Sequence, residues 1–350
     1  MNYLNKLELI HLAPCLFAFA STIFLIFILV PFAINIKLVD LPDMRKLHHG
    51  EVPLIGGVAI VGGFTFAVLI ADGALSEWKP LFLAMLPLII VGILDDHKQL
   101  GVKIRILVQV ITCLIMIYKG GIRFDDLGDL FGTGNVNLDG LQTVFTVIVI
   151  LLLINALNLI DGVDGLSSSL ALGTLTSIVL LVKVDELSVS ISLVLYFCSA
   201  LFAFFLINIE LMKKWVPKVF LGDCGTTVIG FFIGWILIKS SQGDSAIFRP
   251  VTCLWLISVP LIDLFYVVLI RVKSGRSPFV GDRQHIHHNL QKLGLSKYKI
   301  LLYINIIHLV FIGIGVVGEL YLIRDVAMLS GWLTLCLIYI FCMMKFVRPT

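Results

Sequence analysis

Charge is what this chain has least of. Only 14% of its 350 residues are charged, where a soluble domain carries about a quarter. Hydrophobic residues make up 59%, and the mean hydropathy is +1.04. A deficit spread over the whole length excludes a water-solvated globule, so lipid solvates most of the chain. At ~20 residues per span plus loops, there is room for roughly ten to twelve helices. The net charge of +3 is too weak for a nucleic-acid partner. Paired cysteines are missing too. Cys15, Cys113, Cys198, Cys224, Cys253, Cys336 and Cys342 stand singly, with no C-x-x-C spacing and an odd count, which speaks against a zinc or dithiol site and predicts no disulfide. No internal repeat and no low-complexity linker interrupts the chain, so it reads as one domain over 1–350.

What is present is a succession of apolar runs. They lie near 12–36, 54–76, 80–94, 104–118, 142–157, 163–182, 187–207, 220–238, 251–270, 300–322 and 327–344. This predicts an all-α polytopic membrane protein of about eleven transmembrane helices. The first run contains Ala18-Phe19-Ala20, loosely like a cleavage site, but continues past it, as an uncleaved span does and a signal peptide does not. Eighteen of the 26 basic residues fall on the side reached after the first span. By the positive-inside rule that side is cytoplasmic, which places the N-terminus in the periplasm and the C-terminus in the cytoplasm. On the other side, the segment from about Lys119 to Leu141 sets Asp125, Asp126, Asp129 and Asp139 around Gly132 and Gly134. It reads as a small periplasmic β-hairpin with a solvated acidic face.

Five segments carry polar residues that lipid alone would not favour, and all five fall on the cytoplasmic side. Asp95-Asp96 closes the third run. Adjacent carboxylates there need a divalent cation or a lysine between them, unless they are simply a solvated helix end. In Asn155-Ala-Leu-Asn158-Leu-Ile-Asp161-Gly162-Val-Asp164-Gly165, polar residues recur every third position. The drift over nine residues would point the first and last apart on an unbroken helix, so a break at the glycines is expected, with the exposed backbone lining a cavity. In Phe220-Leu-Gly222-Asp223-Cys-Gly225, Asp223 is either a hard-metal ligand or a helix N-cap. Asp282-Arg283-Gln284-His285-Ile-His287-His288 lacks the spacing of a zincin. Its cationic surroundings fit donors to a pyrophosphate or a basic loop resting on anionic lipid. Finally, Arg45-Lys46-Leu-His-His-Gly50 leads into the Gly56-Gly57 start of a span, as a ligand-approach segment or an ordinary positive-inside loop.

Together these stretches resemble the polyprenyl-phosphate N-acetylhexosamine-1-phosphate transferases. H-H-G-x-V-P-L-I-G-G, L-D-D, N-x-x-N-x-x-D-G-x-D-G-L and F-x-G-D-x-G are shared widely in that family, including with the muramoyl-pentapeptide enzymes. D-R-Q-H-I-H-H narrows the resemblance to the WecA type, which uses UDP-GlcNAc and undecaprenyl phosphate. The resemblance implies transfer of GlcNAc-1-phosphate to the lipid phosphate, with release of UMP, at the cytoplasmic face of a bacterial inner membrane. It implies Mg²⁺ or Mn²⁺ held by Asp223 and Asn158, with Asp95 and Asp96 close by, one of them deprotonating or orienting the lipid phosphate. Asn155, Asp161, Gly162 and Asp164 would bind substrate at the nucleotide pocket, and Phe220 would stack on uracil. Arg283, His285, His287 and His288 would contact pyrophosphate or sugar, and Lys46 a phosphate. After Asp223 the chain reads Cys-Gly-Thr where a small residue such as alanine or threonine is expected, and cysteine is small enough to serve. A homodimer is expected by analogy only.

Three rivals remain. A different UDP-N-acetylhexosamine would keep the chemistry. A secondary transporter would place its charges near mid-membrane, not at one face. A CDP-alcohol phosphotransferase would need Ala-Arg soon after the first Asp-Gly, and Asp161-Gly162 is followed by neither.

Overall fold

The computed structural model describes residues 3–41, 50–71, 75–182, 189–277 and 284–346. In chain order the elements are α1 (Tyr3–Asn35), β1 (Val39–Asp40), β2 (Val52–Pro53), α2 (Gly56–Ile70), α3 (Leu75–Lys98), α4 (Val102–Gly120) and α5 (Gln142–Ile160). They continue with α6 (Leu166–Leu181), α7 (Val189–Asn208), α8 (Gly222–Ser241), α9 (Pro250–Leu256), α10 (Ser258–Lys273), α11 (Ile286–Lys292), α12 (Lys297–Leu320) and α13 (Asp325–Phe346). Two compact units result, one of Met1–Gly120 with Val182–Ile229, the other of Gly121–Leu181 with Gly230–Thr350.

Ten of the eleven apolar runs fall on one helix each, and 251–270 falls on two, α9 and α10. Among the described residues seven helices are long and apolar enough to cross a membrane, or eight if the bent pair α9–α10 counts as one. The shortfall has a physical source: α2 and α6 have only 15 and 16 residues, and α4 opens with Lys103 and Arg105.

In the first unit, α1 turns Phe17, Phe24, Phe27 and Phe32 outward and buries Ala18, Thr22, Ile26 and Ala33. The buried set recurs at helical spacing and, Ile26 apart, is small or polar, the reverse of a soluble helix. It packs on α2 and α7, and at Gly63 a Cβ would collide with Thr22 Oγ1. The antiparallel pair β1–β2 aligns Val39 with Pro53. Beyond it the 53–57 backbone carries the segment before α8. Phe220 N–H donates to Pro53 O at 2.9 Å, Gly56 N–H to Phe220 O at 2.9 Å and Gly57 N–H to Leu221 O at 3.1 Å. The V-P-L-I-G-G stretch is thus a template that delivers Phe220, Gly222 and Asp223.

In the second unit, Gly230 and Gly234 on α8 receive Ile154 and Ile150 of α5, the small-x-x-x-small contact by which membrane helices approach closely. The α9–α10 pair bends by 78° because Pro260 has no N–H for the carbonyl of Leu256. Thr174 Oγ1 of α6 donates to that oxygen instead, at 2.7 Å. The hairpin expected at 119–141 is present as one isolated antiparallel bridge, Asp126 with Asn137. The two-stranded sheet lies elsewhere, in β1–β2. Gln242 Oε1 accepts from the Asp125 and Asp126 amides, and Asp325 accepts from the Asp129 amide, so this segment is tied down at its backbone.

Candidate active site

The five polar segments resolve into two clusters, one within each unit. In the first unit α3 ends with Asp95 and Asp96, and the template stretch sets α8 opposite. Gly222, at φ +73, makes the turn into α8, a conformation a side chain would strain. A Cβ there would also meet Asp96 Oδ2 at 2.5 Å. The Asp96 carboxylate accepts from Asp223 N–H at 2.7 Å and Cys224 N–H at 3.3 Å. It therefore satisfies two of the first amides of α8 and meets the positive end of its dipole. The cap on this helix comes from Asp96, on another helix.

Asp95 is only 4% exposed. Its Oδ1 accepts from Leu100 N–H at 2.6 Å and its Oδ2 from Arg105 Nη1 at 3.3 Å. It also lies within hydrogen-bond reach of the Asp223 side chain. Two carboxyl groups that close need a proton or a cation between them. Asp95, Arg105, Gln109, Asp223 and Thr227 form the polar part of a small cleft whose other lining residues are Leu88, Val91, Gly92 and Val108. Among the described residues no three His, Cys, Asp or Glu side chains form a ready metal cage. Mg²⁺ is commonly held by one or two carboxylates together with substrate phosphates and water, and the hard oxygen donors Asp95 and Asp223 fit that mode. Phe220 is half-buried, with Lys218 Nζ 5.3 Å above its ring.

In the second unit α5 stops at Ile160, Asp161 is its C-cap, and α6 starts at Leu166. The expected break thus falls at 161–165, with Gly165 at φ +78. Asn155 Nδ2 donates to Leu151 O at 2.7 Å, and Asn158 lies in the last turn of α5. Asp164 pairs with Lys297 Nζ at 3.2 Å. Gly162 packs so tightly on the His287 ring that a Cβ would collide with Nε2. The N-x-x-N-x-x-D-G and H-I-H-H segments therefore meet.

The histidines stand in a row. The His285 and His287 rings are nearly parallel at 5.9 Å, and His287 and His288 are 4.1 Å apart. His285 and His287 are 3% and 1% exposed. His285 Nε2 and both ring nitrogens of His287 have no hydrogen-bond partner. Burial, then the neighbouring imidazoles His288 and His285, pushes His287 down to about 2, so its ring stays neutral. Lys46 and Arg283 lie outside the described residues.

Two residues of these clusters carry no motif. Arg105 is one of several cations after the third run. Asp263, 1% exposed in α10, accepts from His285 Nδ1 at 2.7 Å. A single carboxylate inside the 251–270 apolar run is the signal that would have found it.

The family model described as glycosyl transferase family 4 matches residues 78–241. A protein of Pasteurella multocida is 38% identical over 331 residues, covering 91% of this chain and 90% of its own. One of Haemophilus influenzae is 35% identical, covering 92% and 91%, and one of Yersinia pestis 34%, covering 94% and 90%. All three are named undecaprenyl-phosphate alpha-N-acetylglucosaminyl 1-phosphate transferase.

Proposed function

The chain belongs to the family of polyprenyl-phosphate N-acetylhexosamine-1-phosphate transferases, and on that premise we propose that it moves GlcNAc-1-phosphate from UDP-GlcNAc to undecaprenyl phosphate. The products are undecaprenyl-diphospho-GlcNAc, the first lipid-linked intermediate of an envelope polysaccharide, and UMP. The observation that carries this reading is the cleft of the first unit, where Asp95, Asp223 and Arg105 share the lining with Leu88, Val91 and Val108. A lipid phosphate has this duality: a charged head that needs cations, and a tail that needs hydrocarbon.

An oxygen of the lipid phosphate attacks the β-phosphorus of the donor. The bond from that phosphorus to the bridging oxygen breaks, and UMP leaves with that oxygen. The second ionisation of a phosphate monoester lies near pH ~6, so the nucleophile is already charged and no side chain needs to take its proton. Asp223 and Asp95 would hold Mg²⁺, with Asn158 the further ligand that the family resemblance implies, and the ion would supply charge neutralisation to the phosphates. Asp96 fixes the first turn of α8 and so the direction of Asp223. Asp161, Gly162, Asp164 and Phe220 serve the nucleotide, and His285, His287 and His288 serve the pyrophosphate and sugar. The excess of lysine and arginine beside these segments supports a cytoplasmic active site in the inner membrane.

The test is UMP release by protein purified in detergent with Mg²⁺ and undecaprenyl phosphate. UDP-GlcNAc, UDP-GalNAc and UDP-MurNAc-pentapeptide are offered in parallel. Release from UDP-GlcNAc alone, dependent on lipid and metal and reduced on the order of a hundredfold or more in Asp223→Ala, is the expected result. Release from another donor keeps the chemistry and replaces the sugar. No release from any donor by folded protein returns the reading to a transporter.

A further inference from the structure

Asp263 sits in the second turn of α10, in an apolar helix, and is 1% exposed. A bare carboxylate at such a position is costly unless it is paired and hydrogen-bonded. Here it is saturated from three directions. Oδ2 accepts from His285 Nδ1 at 2.7 Å, and Oδ1 accepts from the amide of Ile286 at 2.8 Å and from Tyr339 Oη at 3.2 Å. Tyr339 is itself steadied by an edge contact with Tyr266, ring centres 6.3 Å apart. Three elements, α10, the start of α11 and α13, thus converge on one carboxylate.

A staple between helices would need no more than this, and a fully satisfied side chain at the far end. The far end is not satisfied. With Nδ1 engaged by Asp263, the only heteroatom left on the His285 ring is Nε2, and it is buried without a partner. A buried polar atom left open in an otherwise saturated network is a place kept for a ligand.

We propose that Asp263 is a positioning residue of the transfer reaction, which presents Nε2 of His285 as an acceptor to a hydroxyl of the sugar-nucleotide donor. This rests on the transferase reading above. The carboxylate holds the proton at Nδ1 and fixes the ring plane, as a carboxylate does for a histidine that acts on a metal or substrate. With that proton at Nδ1 the open Nε2 is an acceptor, and a hydroxyl of the donor sugar supplies the hydrogen it lacks. Tyr339 holds Asp263 from behind and never meets the donor.

The test is a double-mutant cycle on UMP release from UDP-GlcNAc, with Asp263→Asn, His285→Gln and the pair. Asparagine preserves shape but offers an N–H toward Nδ1, which reverses the tautomer. Asp263→Asn is expected to lower kcat about 10–100-fold, with KM for undecaprenyl phosphate unchanged. The same change in the His285→Gln background is expected to do nothing further, since it acts only through that ring. Should Asp263→Asn fail to fold, Tyr339→Phe takes its place in the same cycle, with a smaller loss of kcat that also vanishes in the His285→Gln background. An undiminished kcat, or losses that multiply in the double variant of an active parent, overturns the inference alone. A folded parent that releases no UMP from any donor overturns the transferase reading and the inference with it.

Discussion

His287 is held between Gly162 and two other imidazoles with no polar partner, and this has two consequences. A Cβ at residue 162 has nowhere to go except through the His287 ring. Gly162→Ala is therefore expected to cost about 1–3 kcal/mol by overpacking and to displace the histidine row, read as a lower melting temperature together with slower UMP release. The second consequence is a pH dependence. Burial holds the folded-state value of His287 near 2, below the ~6.5 of an unfolded chain. The neutral ring thus contributes stability that is present above pH ~6.5 and is lost as pH falls from there toward 2, by at most about 1.4 kcal/mol per unit. His287→Gln is expected to melt with a shallower acid dependence than the parent between about pH 6.5 and 4, measured in detergent by thermal unfolding. At this scale the sequence was most informative. Asp95, Asp96, Asn158, Asp161, Asp223 and the histidines announced themselves as polar residues in apolar surroundings. Asp263 was as anomalous, but a hydropathy sum over twenty residues absorbs one carboxylate.

The bend between α9 and α10 is made by a missing amide and repaired by a neighbouring helix. Thr174 Oγ1 serves the Leu256 carbonyl that Pro260 cannot reach, and it also lies 3.3 Å from His308 Nε2. Thr174→Val removes the donor and leaves a buried carbonyl unpaired, for an expected loss of about 1–3 kcal/mol. Adding Pro260→Ala restores an N–H at the right position, so the double variant is expected to recover part of the melting temperature lost by Thr174→Val. No recovery would mean that another interaction sets the bend. Sequence shows Pro260 but not Thr174, 82 residues along the chain from the Leu256 carbonyl it serves. The same blindness to partners explains the remaining element-level differences. Apolar runs located the helices, yet whether a helix of 15 or 16 residues crosses a bilayer depends on its tilt and its neighbours. The glycines at 132 and 134 located a turn, yet the sheet formed where Pro53 and Val52 found Val39 and Asp40.

For the molecule as a whole, the distribution of lysine and arginine makes one prediction that hydropathy cannot. A fluorescent protein fused after Thr350 is expected to fluoresce, since it would fold in the cytoplasm, and an alkaline phosphatase fused at the same place is expected to be inactive. The reverse pattern would invert the sidedness of every polar segment. Sequence spread these segments along the chain with nothing to rank them. Within the first unit the structure sets L-D-D, F-L-G-D and V-P-L-I-G-G against one another, and within the second it sets N-x-x-N-x-x-D-G against H-I-H-H. The Asp96 carboxylate, which receives the first amides of α8, carries that grouping into evolutionary time. A lineage that gave up the reaction but kept the protein would be free to let Asp95 drift, while Asp96 would persist because the helix begins on it. Among descendants, a lone aspartate at the second place of the pair would be the fossil of an enzyme.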